Sequence, residues 1–463
     1  MEIGHSPNQV KPKLREIHMQ SAVHQGQQGI LLTDPLGLSE RRLFVPVALA
    51  PLLPLIDGSR DLGALRIGFE LRTGIPLSPS VIENLISELD ISRFLDNALF
   101  AQAVKAATEE YKQAKSRSPI MAGKSCSGDP QELAALLQGQ LDEGRLKRVQ
   151  GQVPAGGLGV SPNSKIPLSP PLPKGDSGGL SPRGLKTSSE TPSDGVADMP
   201  PWAADIKGII SPHIDFLRGG PVYGQVWATA APAVREADLI VILGTDHNGG
   251  EGEITLTRQS YETPWGIIPT DQEVVNKIAA LAGEDAVFGG ELRHRGEHSV
   301  EAALIWAHYL TRDRPCQVVP ILCGSFESFI RQNVSPSQGR SISATIEVLR
   351  QTANKRRTII VAAADLAHVG PAFGDLLPLD LAARASLEAQ DRRLIEVLGK
   401  ADPEAFFDEI RGDGDQRRIC GIPPIFIALS VLSGLAGSPA GYAQCPASED
   451  GTSIVSICGM VYH

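Results

Sequence analysis

The chain has 463 residues and a formal net charge of −10. Its length accommodates two or three domains, and its acidic balance argues against a general nucleic-acid binder, whose phosphate contacts need clustered Lys and Arg. The six cysteines form no CxxC pair and no regular spacing, so a disulfide framework or a zinc ribbon is disfavoured and a reduced interior is favoured.

Residues 1–29 are predicted to be a polar tail. They lack an apolar core, so we expect no secretory signal. The longest apolar run, residues 43–56, contains several prolines and is too short to span a bilayer. These features predict a cytoplasmic protein with neither a membrane nor a nucleic-acid partner.

Residues 30–115 are predicted to form a small winged-helix-like domain. "ILLTDPLGLS" predicts a strand and a turn, and "PLLPLIDGSRDLGALRIGFELRTG" predicts two helices that separate at Asp-Gly. "SVIENLISELDISRFL" predicts a helix that begins at Ser80, with Glu83 completing a capping box. The unit resembles the PqqD-like clamps of peptide-modification pathways, which implies a peptide partner. A structural appendage or a dimerisation element remains the alternative.

Residues 151–201 are rich in Pro, Gly and Ser and contain no aromatic residue. Such a composition buries too little apolar surface to offset the entropy of ordering, so a disordered insertion is predicted. A docking role for its Pro-rich part stays open, although composition favours a passive linker.

From residue 202 onward, apolar strand-like segments alternate with amphipathic helices. Strands are predicted at "KGIIS", "ADLIVILG", "QVVPILCG" and "RTIIVAAA". This alternation predicts an α/β domain with a buried, mostly parallel sheet flanked by helices.

Three of these segments end in residues with metal-binding side chains. "GIISPHIDF", "ADLIVILGTDHNG" and "RRTIIVAAADLAHVG" place His213, His247, Asp365 and His368 just after strands. Ligands of parallel sheets gather at the carboxyl ends of the strands. Imidazole, carboxylate and thiolate are the usual ligands of zinc, iron and copper, and Cys420 in "RRICGIPPI" adds a thiol beside a helix start. A buried, inert role for Cys420 is the equal alternative. His294 and His308 are predicted to be surface or packing residues.

The chain resembles the Memo family in the order and spacing of several segments: "IISPHIDF", "ILGTDHNG", "YETPWGIIPTD", "GEHSVEAAL", "VVPILCG", "AAADLAHVG", "RICGIPPI" and "SIVSICGMVYH". The resemblance implies a fold similar to class III extradiol dioxygenases. It makes residues 116–150 the start of a Memo-like α/β domain and residues 202–463 its remainder.

The resemblance also implies a metal site at His213, His247 and Cys420. The expected ion is a transition metal, with iron or copper favoured and zinc as the third candidate. Polar residues of the family pocket correspond to His298, Asp365 and His368, which we expect to move protons or, for Asp365, to orient an imidazole or ligate the ion.

Several positions depart from the family pattern. Ile214-Asp215-Phe216 replaces Ala-Gly-Tyr, Asn248 replaces a second His, Cys126 replaces a Tyr, and Ile422-Pro423 stands where many relatives carry His after the Cys motif. These departures concern the surroundings of the proposed ligands and not the ligands themselves.

Two functions follow from these features. Bacterial relatives are protein B of the AmmeMemoRadiSam system, which implies an AMMECR-type protein and a radical SAM enzyme as partners and a metal-dependent redox role. A thiolate ligand departs from the two-His-one-carboxylate triad of iron oxygenases, so ring cleavage is disfavoured. The alternative is a metal carrier or a peptide-binding platform without turnover.

Overall fold

The computed structural model describes residues 11–149, 200–314 and 316–463. These residues divide into two compact units. The first runs to Ile120 and includes Gln259–Glu262 and Phe288–Glu297, and the second comprises Met121–Arg258, Thr263–Val287 and His298–His463. The insertion predicted at 151–201 lies outside the described residues up to residue 199.

The first unit contains an antiparallel sheet followed by helices. Its elements in chain order are β1 (His18–His24), β2 (Gln27–Thr33), β3 (Leu43–Pro46), α1 (Leu62–Thr73), α2 (Pro79–Ile91) and α3 (Ala98–Gln113). A 3-10 helix at Ala50–Leu55 precedes α1. Leu32, Val45, Leu65, Phe69 and Leu89 form part of its core. A three-stranded sheet with packed helices is compatible with a small domain, and the winged-helix and PqqD-like assignments stay predictions.

Two details of the first unit differ from the sequence prediction. Strand β1 lies inside the predicted polar tail of residues 1–29 and pairs with β2 across a turn in which Gln25 and Gly26 both have positive φ. Its side chains are mostly exposed, so no apolar alternation marked it. The capping box at Ser80 is wrong, because Ser78 is the N-cap of α2 and Pro79 occupies the first helical turn, where its fixed φ suits helix initiation.

The second unit is built around a mixed sheet. The remaining strands of the chain are β4 (Gly208–Ser211), β5 (Leu239–Thr245), β6 (Ile254–Leu256), β7 (Tyr261–Thr263), β8 (Gly266–Ile268), β9 (Gln317–Cys323), β10 (Thr358–Ala363), β11 (His368–Val369), β12 (Gly437–Pro446) and β13 (Ile454–Tyr462). The remaining helices are α4 (Pro130–Val149), α5 (Phe216–Arg235), α6 (Gln272–Ala282), α7 (Glu284–Phe288), α8 (Ser299–Thr311), α9 (Glu327–Gln332), α10 (Arg340–Ala353), α11 (Leu381–Leu398), α12 (Pro403–Arg411) and α13 (Ile422–Leu432).

The centre of this sheet is parallel. Its strand order is β11-β13-β4-β10-β5-β9-β6, with β12 paired to β13. Strands β4, β10, β5 and β9 run parallel, whereas β13 and β6 flank them in the antiparallel sense. The prediction of a mostly parallel central sheet flanked by helices is confirmed. The relationship to class III extradiol dioxygenases stays a prediction.

The register of the parallel strands aligns their carboxyl ends. Ala363 of β10 pairs with Ser211 of β4 on one side and with Gly244 of β5 on the other. The side chains that follow these strands therefore meet at one edge of the sheet. Within the described part of the chain, no helix has the length and apolar character needed to cross a bilayer.

Candidate metal centre

Three strands deliver side chains to this edge. His213 lies two residues after β4, His247 two residues after β5, and Asp365 two residues after β10. The strands are buried along their whole length, so the backbone that carries these residues is held on both faces. A rigid backbone of this kind fixes the positions of polar side chains better than a loop does.

The imidazole of His213 is oriented by hydrogen bonds on both sides. Its Nδ1 lies 3.0 Å from the carbonyl oxygen of Ala363, and its Nε2 lies 3.5 Å from Sγ of Cys420. Donation from Nδ1 to the carbonyl assigns the other nitrogen, Nε2, as the one that faces the thiol. His213 is buried.

Asp365 holds the backbone of this segment. Its Oδ1 accepts hydrogen bonds from the amides of His213, at 2.9 Å, and Ile214, at 3.3 Å. Its Oδ2 lies 3.7 Å from Nε2 of His213. The carboxylate therefore fixes His213 through both its backbone and its ring.

His247 and His298 complete a cluster of three imidazoles. The rings of His247 and His298 are stacked at 5.2 Å, and both stand nearly perpendicular to the ring of His213. His298 is the N-cap residue of α8, and the hydroxyl of Ser299 donates to the carbonyl oxygen of Thr245 at 2.8 Å. That bond ties the start of α8 to the end of β5 and thereby brings His298 beside His247.

Cys420 approaches from the turn that precedes α13. The Cys420 carbonyl accepts a hydrogen bond from the Thr245 hydroxyl at 3.1 Å, and the amide of Gly421 donates to the Asp365 carbonyl at 3.1 Å. A Cβ atom at position 421 would lie 2.6 Å from that Asp365 oxygen. Only glycine lets the turn pack this closely against the end of β10, which brings the thiol to the imidazoles.

The charges of the cluster are coupled. Burial opposes ionisation of the Cys420 thiol, but the neighbouring imidazoles, His213 first, hold its pKa well below its usual range. Burial alone would lower the pKa of His213, whereas Asp365 and Cys420 raise it to about 9. The side chains of Arg417 and Arg418, which precede the thiol by three and two residues, pair with Asp391 and Asp375.

His213, His247 and Cys420 form a set of donors suited to one ion. One ligand atom from each, nitrogen or sulfur, lies within 4.8 Å of the other two. Among the described residues, Asp365 and His368 do not belong to this set. His368 lies on β11 with its Nδ1 3.1 Å from the Leu366 carbonyl and 3.2 Å from the Arg418 carbonyl. Two imidazoles and a thiolate fit zinc, iron or copper by donor type.

A cavity of about 460 Å³ opens beside this set. His247 and Cys420 of the ligand set line this cavity together with the apolar side chains of Phe326 and Ile330. Asp415 also lines the cavity. Asp415 could not be singled out from the sequence, because it lies in a turn after α12 and is marked by no strand end or motif.

Two further histidines and two cysteines outside the ligand set are at least partly buried. His294 is fully buried, with its Nδ1 2.6 Å from the hydroxyl of Tyr261, and His308 is partly buried on α8. Cys316 and Cys323 are buried at the two ends of β9, as core residues would be.

Comparison with known proteins finds one family. The model of the Memo-like protein family matches residues 193–461. A MEMO1 family protein of Aquifex aeolicus (strain VF5) is 24% identical over 461 residues, covering 98% of this chain and 100% of that protein. A MEMO1 family protein of Methanosarcina acetivorans is 25% identical over 247 residues, 53% of this chain and 80% of that protein. A MEMO1 family protein of Thermococcus onnurineus is 29% identical over 240 residues, 50% of this chain and 75% of that protein.

The family match covers more than half of the chain and includes every residue of the imidazole and thiol cluster. The alignment with the Aquifex aeolicus protein covers 98% of this chain and therefore extends into the N-terminal part of the first unit, up to Ile120, which precedes the family match. The resemblance stated from the sequence motifs is confirmed at the level of the family: this chain belongs to the Memo-like protein family.

Proposed function

We propose that this chain is a metal-binding protein in which His213, His247 and Cys420 hold one transition-metal ion. The observation that carries the proposal is the mutual distance of their ligand atoms, all within 4.8 Å. These residues come from three separate elements, β4, β5 and the turn before α13. Residues adjacent in sequence are close together in any fold. These three donors are far apart in sequence and come together only at the edge of the folded sheet.

The donor set favours iron or copper, with zinc as the third candidate. Sulfur and imidazole nitrogen suit these ions better than magnesium or calcium, which prefer oxygen. A bound iron or copper ion would supply one-electron redox chemistry at this edge of the sheet. The Asp365 carboxylate accepts hydrogen bonds from the amides of His213 and Ile214, which supports a positioning role for Asp365.

The surrounding residues support a reactive role. Nδ1 of His213 is engaged by the Ala363 carbonyl, so Nε2 is the nitrogen directed to the ion. His298 stacks on His247 and is partly exposed, which suits it to carry protons between the site and solvent. His368 is assigned the same role, and it favours the Cys420 thiolate electrostatically.

We propose that this redox site works within the AmmeMemoRadiSam system, with an AMMECR-type protein and a radical SAM enzyme as partners. Family membership supports this assignment. The N-terminal unit would bind a peptide, and its presence in a relative aligned over its full length supports a role shared beyond this chain.

The proposal is tested by metal analysis of protein prepared without oxygen. We expect one iron or copper ion per chain. The triple variant His213→Ala/His247→Ala/Cys420→Ser should hold less than a tenth of that amount, because no protein ligand of the site remains. Equal metal content in the triple variant and the parent protein would contradict the proposal.

A metal carrier is the second candidate, and one observation favours it. His247 is exposed, whereas His213 is buried. An ion with an exposed ligand is accessible to an acceptor protein or chelator. Release of the ion to a colourimetric chelator within seconds would favour the carrier, and retention over hours with reversible reduction would favour the redox component.

A further inference from the structure

We propose that the cavity beside His247 and Cys420 binds a small molecule with an apolar body and a protonated amino group, which Asp415 recognises. The inference rests on the proposed function, because it places this ligand beside the proposed ion. The recognition itself depends on the cavity and on Asp415, so it is testable with metal-free protein.

The cavity has the size and lining of a small-molecule site. Its volume of about 460 Å³ lies within the usual range for such sites. Apolar side chains form much of its wall: Phe326, Ile330, Ile419, Ile422 and Pro423. A ligand that fills it would therefore bury an apolar body against these groups, with polar side chains such as Thr245 and Ser325 in the rest of the lining.

Asp415 is a carboxylate in the lining of this cavity. Its Oδ1 accepts a hydrogen bond from the amide of Ile419 at 2.9 Å. Among the described residues it forms no ion pair, although three arginines lie nearby along the chain or across the cavity. Each of the three is paired elsewhere: Arg417 with Asp391, Arg418 with Asp375 and Arg331 with Glu251.

The turn that carries Asp415 has an unusual backbone. Asp415 and Arg418 have φ values of 52°, and Gly414 has a φ of 68°. Left-handed conformations are uncommon for residues other than glycine and persist where the surrounding structure requires them. Here they set the carboxylate at the cavity wall while its Oδ1 closes the turn onto Ile419.

A cation is the ligand group that this setting favours. Burial raises the pKa of Asp415 to about 6, with Asp413 and Cys420 adding to the shift and the Ile419 amide and Arg417 opposing it. The carboxylate is thus ionised at pH 7.5 but incompletely solvated. An ammonium group offers it a hydrogen bond together with an opposite charge, whereas an alcohol donates a hydrogen bond without a charge and a carboxylate is repelled. The cavity arginines already have acidic partners, so they do not favour an anion.

The test uses benzylamine, which is protonated at pH 7.5, and benzyl alcohol as its neutral counterpart. Binding to the full chain is measured by ligand-observed NMR, with and without zinc. We expect benzylamine to bind more tightly than benzyl alcohol. Asp415→Asn should weaken benzylamine about tenfold and leave benzyl alcohol unchanged, because Asn keeps the acceptor for the Ile419 amide and removes only the charge.

Glu327→Gln is the matched control. Glu327 also lines the cavity, but it is exposed and paired with Arg331, so its loss should change benzylamine affinity less than twofold. Equal benzylamine affinity of the parent and Asp415→Asn would overturn the proposal, as would an equal effect of Glu327→Gln or no saturable benzylamine binding to the parent. These results come from metal-free protein and stand whether or not the zinc titration supports the metal site.

Discussion

Cys420 is the residue whose substitution separates a metal ligand from a core cysteine. Cys420→Ser should weaken zinc or copper binding at least about a hundredfold, because a neutral hydroxyl replaces a thiolate. His213→Ala and His247→Ala should have similar effects, since each removes one of three ligands. The measurement is competition with a chelator of known affinity on folded protein.

Cys316→Ser provides the control for this series. Cys316 precedes β9 at the end opposite Cys323, and its thiol donates to the Gln317 carbonyl, a bond that serine can keep. The metal affinity of the Cys316→Ser variant should equal that of the parent protein.

His298→Ala and His368→Ala should keep most of the metal, with losses of about ten- to a hundredfold in redox response. Full affinity in Cys420→Ser together with abolished binding in His298→Ala would reverse the assigned roles.

His308 predicts a pH dependence of stability that is independent of the metal site. Burial lowers its pKa to about 4, below the ordinary value of 6.5. The unfolded chain therefore takes up a proton before the folded chain does, so stability falls as pH drops from 6.5 towards 4 and the loss levels off below 4. From pH 7.5 to pH 5, the contribution of His308 amounts to about 2 kcal/mol.

Urea unfolding of the parent and His308→Gln measures this contribution. Carboxylates titrate in both proteins, so the difference between the two curves isolates His308. The parent should lose about 2 kcal/mol more than the variant between pH 7.5 and pH 5. Parallel curves would show that the His308 imidazole titrates normally in the folded protein.

At the scale of elements, the strands that carry the site were predictable, whereas helix α5, which follows His213, was not. Strands β4, β5 and β10 are buried apolar runs, so His213, His247 and Asp365 were identifiable as strand-end residues. Helix α5 was missed, because Pro221, Pro232 and several glycines lower its helix propensity. Tertiary packing overrides that propensity. The position of Asp415 depends on the left-handed turn after α12, which no local pattern specifies.

Glycines in α4 and α5 allow these two helices to pack closely against each other. A Cβ atom on Gly144 of α4 would lie 2.2 Å from the carbonyl oxygen of Gly224 in α5, and one on Gly224 would lie 2.0 Å from the carbonyl oxygen of Gln140. The two helix backbones thus approach too closely for any side chain between them. Gln140 adds a hydrogen bond from its Nε2 to the Phe216 carbonyl at 2.7 Å.

Gly144→Ala should therefore destabilise the protein by about 2 kcal/mol or more, since the helices must move apart. Gly139→Ala is a matched change in the same helix, where the added Cβ meets nothing within 4 Å. That variant should be stabilised by up to about 1 kcal/mol, because alanine has the higher helix propensity. Thermal unfolding of both variants measures the two changes in stability. A loss of stability in Gly139→Ala equal to that in Gly144→Ala would contradict the role given to the helix contact.

At the scale of the whole molecule, the second unit is assembled from both sides of the predicted insertion. The family match begins at residue 193, yet α4 lies before it and belongs to the same unit as the sheet. Leu133, Leu137 and Leu141 of α4 are fully buried. Burial of each such side chain stabilises the folded state by about 1.5–3 kcal/mol. The unit thus depends on a segment that the family match alone does not contain.

Cutting the chain within the insertion tests this dependence. A protease site placed at residues 170–176 would yield two fragments after cleavage, one ending beyond α4 and one beginning before β4. We expect the fragments to co-elute in size-exclusion chromatography and to keep their metal, because α4 stays packed on α5 without the covalent link. In the cleaved protein, Gly144→Ala should weaken the association of the fragments by about tenfold or more relative to Gly139→Ala. The two variants carry the same change in the same helix and differ in whether the added Cβ meets α5. Fragments that separate on cleavage of the parent chain, or that associate equally in both variants, would show that the contact between α4 and α5 does not hold the unit together.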